Sequence, residues 1–481
     1  MLGWKMLNNG DYKLGFPVLS EEEIRAVLYA EEKFKDETRT HEIIDEKEAM
    51  NIFSELVSEY AERNKAYLTR KQEEYLTKIA FLHTCKFAFL SLLLDDKEIE
   101  EISIIGPNIP AYVFLRDNGW KTTNACFESE QGISEIINKM ASEAGRRITL
   151  QNPRLSAVLP DGSRLHASLP PVSKGEITIR KFRERPFSPK ELCEHGTVSP
   201  EAIALLSLIM QGDFSVAIAG NTASGKTTTL NSLFSFVPAN ERIIITEETP
   251  EINIPHPHQL RLVANSDMNI DLKDLVYDSL RMRPDRMIVG EVRNQEEIEA
   301  LFDVLLGGQA RGTYATFHAQ SAEEGMQRIR SFGINENDLN SLDLIVVQRR
   351  MLKYNTKTGS GKEIRRIIEI CEIEGGNPSP LFAYDARTDR LESRVSISGK
   401  RAGRHGGTGI LERLADDLRL SKKELCIEIE KRKKLIKDSE NDFHTAFRRI
   451  QKQLFNIDAP DVGNRTKHDH TTQDEDEDED Y

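Results

Sequence analysis

Residues 214–230 read FSVAIAGNTASGKTTTL, and the parsing of that run decides the fold. FSVAIAG is a short apolar run bounded by a glycine, the signature of a buried strand, and KTTTLNSLFSFVP continues as a helix. Between them Gly220-Asn221-Thr222-Ala223-Ser224-Gly225-Lys226-Thr227, followed by Thr228, fits G-x-x-x-x-G-K-[ST] in the strand-to-helix setting that the pattern requires. Glycines let successive N–H groups turn inward on phosphates, the helix N-terminus adds partial positive charge, and Lys226 adds a point charge. Thr227 is placed to ligate Mg²⁺.

Outward from this loop, apolar strands alternate with helices: RIIIT, DLKDLVYDSLRMRP, RMIVGEVR, NQEEIEALFDVLLGG and GTYATFHA. Such alternation predicts an α/β fold, a largely parallel sheet with helices on its faces. Beyond it lie the strands LDLIVVQRR and IRRIIEICEI, a hairpin-like LFAYDARTDRL and charged helices from Ile410 to Phe455. Upstream, residues 1–95 read as a helical module and 96–182 as a small α/β domain. The proline-bearing segment 183–199 reads as a linker before the nucleotide-binding domain at 200–400, with a helical segment at 401–463 and an acidic tail at 464–481. The apolar stretch IAFLHTCKFAFLSLLL, interrupted by His83 and Lys86, is short for a membrane span and predicts one buried helix.

The chain of 481 residues carries 65 Lys and Arg against 79 Asp and Glu, with eight acids concentrated in the tail. This balance gives no basic footprint for nucleic acid, so no direct nucleic-acid partner is expected. Five separated cysteines, without C-x-x-C, suggest neither a disulfide framework nor a zinc ribbon. The first residues lack the apolar run of a signal peptide, and a cytoplasmic location is the simplest expectation.

Hydrolysis needs carboxylates near the γ-phosphate. RMIVGEVR puts Glu291 at the C-terminal end of an apolar strand, where ligands of open parallel sheets gather and where it could hold Mg²⁺. RIIITEETPEI puts Glu247 and Glu248 at the end of another, able to orient or deprotonate water. His318 ends the strand of GTYATFHA. Arg164, Arg180, Arg281 and Arg283 are surface residues taken singly, and in a ring of subunits they are arginine-finger candidates. His256 and His258, like His468 and His470, have i, i+2 spacing without further ligands, and no metal site is expected there.

In order, GNTASGKTTTLNSL, TEETPEI, RPDRMIVGEVR and ATFHAQSAEEGMQRI resemble the Walker A, acidic box, Walker B and His box of the type II/type IV secretion superfamily of ATPases. Upstream, LPDGSRLHASLPPVS and ITIRKF resemble that superfamily's second N-terminal domain. The wording TPEINIPH and the helical N-terminal module resemble the archaeal branch that assembles type IV pili and the archaellum. This resemblance implies a RecA-like P-loop NTPase motor domain preceded by a small α/β, PAS-like domain and a helical N-terminal module. It also implies a cytoplasmic homohexamer at the membrane that uses ATP and Mg²⁺ to drive pilin-like subunits through a polytopic membrane platform protein. By motif, Lys226 and Thr227 bind phosphates and Mg²⁺, Glu291 is the Walker B acid, and His318 is the His-box residue. The four arginines match positions that reach nucleotide, some across a subunit boundary. The family's acidic box often reads Glu-Asp, whereas this chain has Glu247-Glu248, and either is left as the base. The alternatives are a traffic ATPase for protein or DNA secretion, of the conjugative type IV kind, and a non-hydrolysing nucleotide-dependent scaffold.

Overall fold

The computed structural model of the chain describes residues 3–39, 45–115, 118–182, 185–265, 268–355, 359–395 and 409–460. The acidic tail, with His468 and His470, lies outside the described residues. The chain divides into two units, Met1–Arg183 and Glu184–Tyr481.

In the first unit the elements are β1 (Trp4–Met6), α1 (Glu21–Glu37), α2 (Glu46–Asn64), α3 (Arg70–Cys85), α4 (Phe89–Asp95), β2 (Ile99–Ile104), β3 (Pro110–Leu115), β4 (Gly119–Phe127), α5 (Glu130–Glu143), β5 (Arg154–Val158), β6 (Arg164–Ser168) and β7 (Glu176–Arg180). Helix starts follow capping chemistry: Ser20 and Thr69 close capping boxes, and Asp45 and Ser129 accept from N-terminal amides. On α1 the buried positions Ala26, Val27, Ala30 and Phe34 form one stripe, and Phe34 stacks on Phe53 of α2 at 4.1 Å. The seven strands form an antiparallel sheet in the order β1-β4-β3-β2-β7-β6-β5. One hydrophobic core joins these helices to the sheet, so the expected helical module and small α/β domain are not separately packed.

The apolar stretch expected as one helix is two. α3 ends at Cys85, Ala88 takes a left-handed φ of 53°, and α4 leaves at 91° to α3. A straight helix would carry Lys86 into the core; the bend lets its ammonium pair with Glu46. The Ser91 hydroxyl accepts the Phe87 N–H at 2.9 Å and closes the new turn. Among the described residues no single helix is long and apolar enough to cross a membrane.

The second unit contains α6 (Pro189–Glu194), α7 (Pro200–Gln211), β8 (Val216–Gly220), α8 (Lys226–Leu233), β9 (Ile243–Glu247), β10 (Gln259–Val263), α9 (Leu272–Ser279), β11 (Arg286–Val292), α10 (Gln295–Gly307), β12 (Gly312–Phe317), α11 (Ala322–Ser331), β13 (Leu344–Asn355), β14 (Ser360–Glu374), β15 (Asn377–Asp385), β16 (Arg390–Ser393), α12 (Gly409–Asp417), α13 (Lys422–Asp438) and α14 (Phe443–Phe455). The sheet runs β10-β9-β11-β12-β8-β13-β14-β15-β16. From β10 to β13 all pairs are parallel, and the chain then adds an antiparallel meander through β16. β8, all five residues buried, lies between β12 and β13, so its C-terminal end opens at the middle of the sheet. This is a RecA-like α/β fold built around a P-loop.

Cores cover both faces of this sheet. One includes Leu192 of α6 and Ile410, Leu414, Leu425, Ile429 and Ile450 of the last three helices. The segment expected as a linker thus carries a core helix, and the expected C-terminal segment packs into the core of the second unit. Composition conceals this, because α13 is mostly charged and buries only a narrow stripe that includes Arg432. The Arg432 guanidinium reaches the Ser207 carbonyl at 3.4 Å and its hydroxyl at 3.3 Å.

Candidate active site

Residues 220–227 leave β8 and turn into α8 at the opening in the sheet, and neighbouring strands pin the turn. A Cβ at Gly220 would lie 2.1 Å from the Gln348 carbonyl oxygen of β13, so only glycine fits. Gly225 has φ 95° at the N-cap of α8, a conformation that suits glycine. Asn221 makes a two-way contact with Arg350 of β13: its Oδ1 accepts the Arg350 N–H at 3.0 Å and its amide donates to the Arg350 carbonyl at 3.3 Å. From β14, Arg365 Nε donates to the Ala223 carbonyl at 2.9 Å. Thr229 donates to Gln348 Oε1 at 2.6 Å. Thr222 is exposed at the crest of the loop, and Ser224 Oγ is buried without a partner among the described residues. Thr228 is half-buried on the first turn of α8.

Lys226 is buried, its Nζ 3.3 Å from the Gly220 carbonyl and 3.5 Å from Glu291 Oε1. The other oxygen of Glu291 accepts from Arg293 at 2.7 and 2.9 Å. Burial pushes the Glu291 carboxyl up, but Arg293, Lys226 and His318 outweigh it and leave it below the ordinary carboxylate range. His318 lies at the same place: Nδ1 is 3.1 Å from the Gly220 carbonyl and Nε2 is 3.1 Å from Glu291 Oε1. A carbonyl and a carboxylate both only accept, so each ring nitrogen faces an acceptor, Nδ1 the Gly220 carbonyl and Nε2 the Glu291 carboxylate. Burial, then Lys226, pushes the imidazole's pKa down.

The acidic-box glutamates go different ways. Glu247, 2% exposed, accepts the N–H groups of Glu251 at 2.7 Å and Ile252 at 2.8 Å, with Arg261 at 3.3 Å from its other oxygen. Burial pushes its carboxyl up against those partners. Glu248 is exposed and pairs with Arg293, which therefore bridges it to Glu291. Among the described contacts neither accepts from Thr227. The carboxylate that meets Thr227 is Glu251, whose Oε2 accepts the Thr227 hydroxyl at 2.8 Å. Sequence reading passed over Glu251, although it lies within TEETPEI. Its placement depends on the turn that Glu247 folds back.

Arg281 and Arg283 are exposed in the turn before β11. Most of β11 separates them from Glu291, its sixth residue, a span of roughly 17 Å at about 3.3 Å per residue. They therefore do not reach the phosphate loop of their own chain. The next arginine, Arg286, is fully buried and bonds Glu241 at 2.6 Å and the Gly212 carbonyl at 2.7 Å. In the first unit Arg164 and Arg180 stand directly opposite each other on β6 and β7. His256 is buried between Phe234 and Phe447 with Nε2 donating to the Val237 carbonyl at 3.1 Å, and His258 Nε2 lies 2.7 Å from Arg242.

The sheet and its loop define a P-loop protein of the RecA-like class. The family described as "Type II/IV secretion system protein" matches residues 93–455, and the chain belongs to it. A relative, the uncharacterized protein MJ0900 of Methanocaldococcus jannaschii, is 34% identical over 319 residues, covering 65% of this chain and 56% of the relative. A second uncharacterized protein of that archaeon is covered over 46%, so the match spans about half the length of these relatives. Both relatives come from an archaeon, in keeping with the archaeal branch that the motifs resemble. The type IV secretion system protein VirB11 of Bartonella quintana is 31% identical over 277 residues, covering 48% of this chain and 76% of the relative. The ATPase DotB of Legionella pneumophila is similar in structure at 17% identity, with a TM-score of 0.43 over 72% of this chain and 85% of that one.

Proposed function

We propose that the chain is an ATP-hydrolysing motor, acting as a cytoplasmic homohexamer at the membrane, that powers assembly of a type IV pilus-like or archaellum filament. In this reading it pushes on a polytopic membrane platform protein and so moves pilin-like subunits indirectly. The observation that carries hydrolysis is convergence on one phosphate loop: Lys226, Glu291 and His318 on one side, Thr227 with Glu251 on the other.

The pinned loop fits ATP, because its N–H groups lie at a helix start and Lys226 opens that helix. Lys226 would leave the Gly220 carbonyl for the phosphates, which releases Glu291 from one of its cations. Thr227 and Glu291 would hold Mg²⁺, a hydroxyl and a carboxylate being the oxygen donors that ion takes. Bound with the nucleotide, Mg²⁺ would neutralise charge gathering on the transferred phosphoryl group. Glu251 would orient the attacking water, since Glu247 is committed to the backbone of its own turn and Glu248 to Arg293. His318, oriented by Gly220, would present Nε2 beside Glu291. Arg281 and Arg283, remote from their own loop, would act on the neighbouring subunit's nucleotide. Arg164 and Arg180 would do so from the small α/β domain.

The experiment is Mg²⁺-dependent ATP hydrolysis by the full chain across protein concentrations, with mass measured in parallel. Turnover should rise cooperatively with a ring-sized species. Lys226→Ala should lose nucleotide binding, and Glu291→Gln should bind nucleotide without turning over. Full turnover by Glu291→Gln would refute the site, and binding without turnover by the parent at every concentration would favour the scaffold. The second reading, a conjugative traffic motor, has the VirB11 likeness in its favour. Deleting the gene separates the two: loss of filaments supports assembly, loss of protein or DNA transfer supports traffic.

A further inference from the structure

Helix α13 keeps one side in the core and turns the other outward. Leu425, Ile429, Arg432 and Ile436 are buried, and the opposite stripe, at steps of three and four residues, is Lys423, Ile427, Glu430, Lys434 and Lys437. Glu430 is engaged by Lys433 at 2.8 Å. Lys423, Lys434 and Lys437 are exposed, and none of them has an ion pair or hydrogen bond among the described residues. Ile427, 56% exposed, stands in a shallow groove that Cys426, Lys431 and Lys434 also line. The face therefore offers uncommitted cations around one bare aliphatic side chain, spread from Lys423 to Lys437 over about 21 Å of helix.

An occupant of matching length and charge belongs to the same chain. Residues 474–480 read DEDEDED, an unbroken run of acids, and Tyr481 follows. Extended at about 3.3 Å per residue, that run covers about 20 Å, the span of the lysines. The route is short as well. α14 begins at Phe443, just after α13 ends at Asp438, and is about 20 Å long. Beyond α14 the chain doubles back: Asn456 takes φ 55°, the Ile457 N–H donates to the Gln451 carbonyl at 3.2 Å, and Asp458 pairs with Lys452 at 2.8 Å. Residues 461–473 can span up to about 43 Å, roughly twice the length of α14. One exposed ion pair adds little, but several acids tethered beside several cations act at high effective concentration.

We propose that the acid run 474–480 docks on the outer face of α13 of its own chain, its carboxylates on Lys423, Lys434 and Lys437 and the Tyr481 ring over Ile427. The contact does not involve the phosphate loop, and it holds whether or not the chain is a filament motor.

The test uses the full chain, with ¹⁴N- and ¹⁵N-labelled protein mixed at a concentration where its mass is that of a single chain. A carbodiimide joins a carboxylate to an amine where the two touch, and the peptides are read by mass spectrometry. Cross-links from residues 474–480 to Lys423, Lys434 or Lys437 should join peptides of one isotope. They should fall fivefold or more in about 1 M sodium chloride, where charges are screened beyond about 3 Å. Ile427→Glu removes no amine and lies on the surface, and by setting a like charge under the run it should lower the same cross-links fivefold or more. As a second measurement, replacing the acids of 474–480 by Asn and Gln should speed acetylation of Lys434 and Lys437 threefold or more, with Lys433, held by Glu430, unchanged. Cross-links only between isotopes would move the run to a second copy. Protection of Lys434 by vesicles of equal parts phosphatidylcholine and phosphatidylserine, equal in the parent and the amide variant, would give the face to a membrane surface. Either result, no cross-link to α13, or equal acetylation of the parent and the amide variant would overturn the proposal.

Discussion

Glu247 and Glu251 stand four residues apart in one motif, and the structure gives them opposite environments. Glu247 is buried and holds the amides of the turn; Glu251 is half-buried against the Thr227 hydroxyl. Glu251→Gln should lower kcat by about 10²-fold or more with little change in nucleotide affinity, the scale of a lost general base. Glu247→Gln should instead lower thermal stability, by roughly 1–3 kcal/mol for a disturbed buried acceptor, and reduce activity through the turn. Steady-state kinetics beside calorimetry separates the two, and equal kcat for Glu251→Gln and its parent would return the role to Glu247 or Glu248. His256 gives a prediction in pH. Burial pushes its pKa down to about 4, so the folded chain binds this proton more weakly than the unfolded one. Stability is full above about 6.5, the unfolded value, and falls as pH drops from there to about 4, by roughly 3 kcal/mol. His256→Gln, which keeps a donor for Val237, should flatten that slope by about one proton when Tm is followed against pH.

At the scale of elements, the alternation of strands and helices was legible because it depends on neighbours in sequence, short apolar runs set between helical stretches. The phosphate loop was legible for the same reason. The α3–α4 bend was not, because Lys86 finds Glu46 forty residues away and Lys139 fifty-three residues away closes the turn. Nor was Glu251, whose meaning lies in a turn folded by another side chain. The place of α14 was equally hidden. Its Gln451 is fully buried, donates to the carbonyls of Ser235 at 3.0 Å and Val237 at 2.8 Å, and accepts the Ala239 N–H at 2.8 Å. It thereby fastens α14 to the segment that follows the phosphate-loop helix. Gln451→Leu strands the Ser235 carbonyl and the Ala239 N–H, while the Val237 carbonyl keeps His256, and should cost about 2 kcal/mol or more, read by denaturant titration. A loss below 1 kcal/mol would mean that water satisfies them.

For the whole molecule the distribution of cores predicts which pieces fold. The first unit has a core of its own, so a fragment of residues 1–183 should unfold cooperatively by circular dichroism. A fragment of residues 184–460 should do likewise. A fragment ending at residue 395 should not, because the core it keeps would lose Ile410, Leu414, Leu425, Ile429 and Ile450. Cooperative unfolding of that shorter piece would show that the last helices are an accessory layer. The α/β architecture was readable from the order of strands and helices, and its RecA-like form only from the resemblance of the motifs. The boundaries between folding units were less so, since a charged helix contributing a narrow apolar stripe looks in composition like an appendage.

Glycine-rich loops are usually among the looser parts of a chain, yet here Gly220 is wedged against β13, Asn221 is clasped at both ends by Arg350, and the Ala223 carbonyl is anchored by Arg365. Fixing a residue's backbone costs about 1–2 kcal/mol of entropy, and this loop has met most of that cost during folding. A triphosphate arriving there finds a preorganised mould, so its association should carry a small entropic penalty.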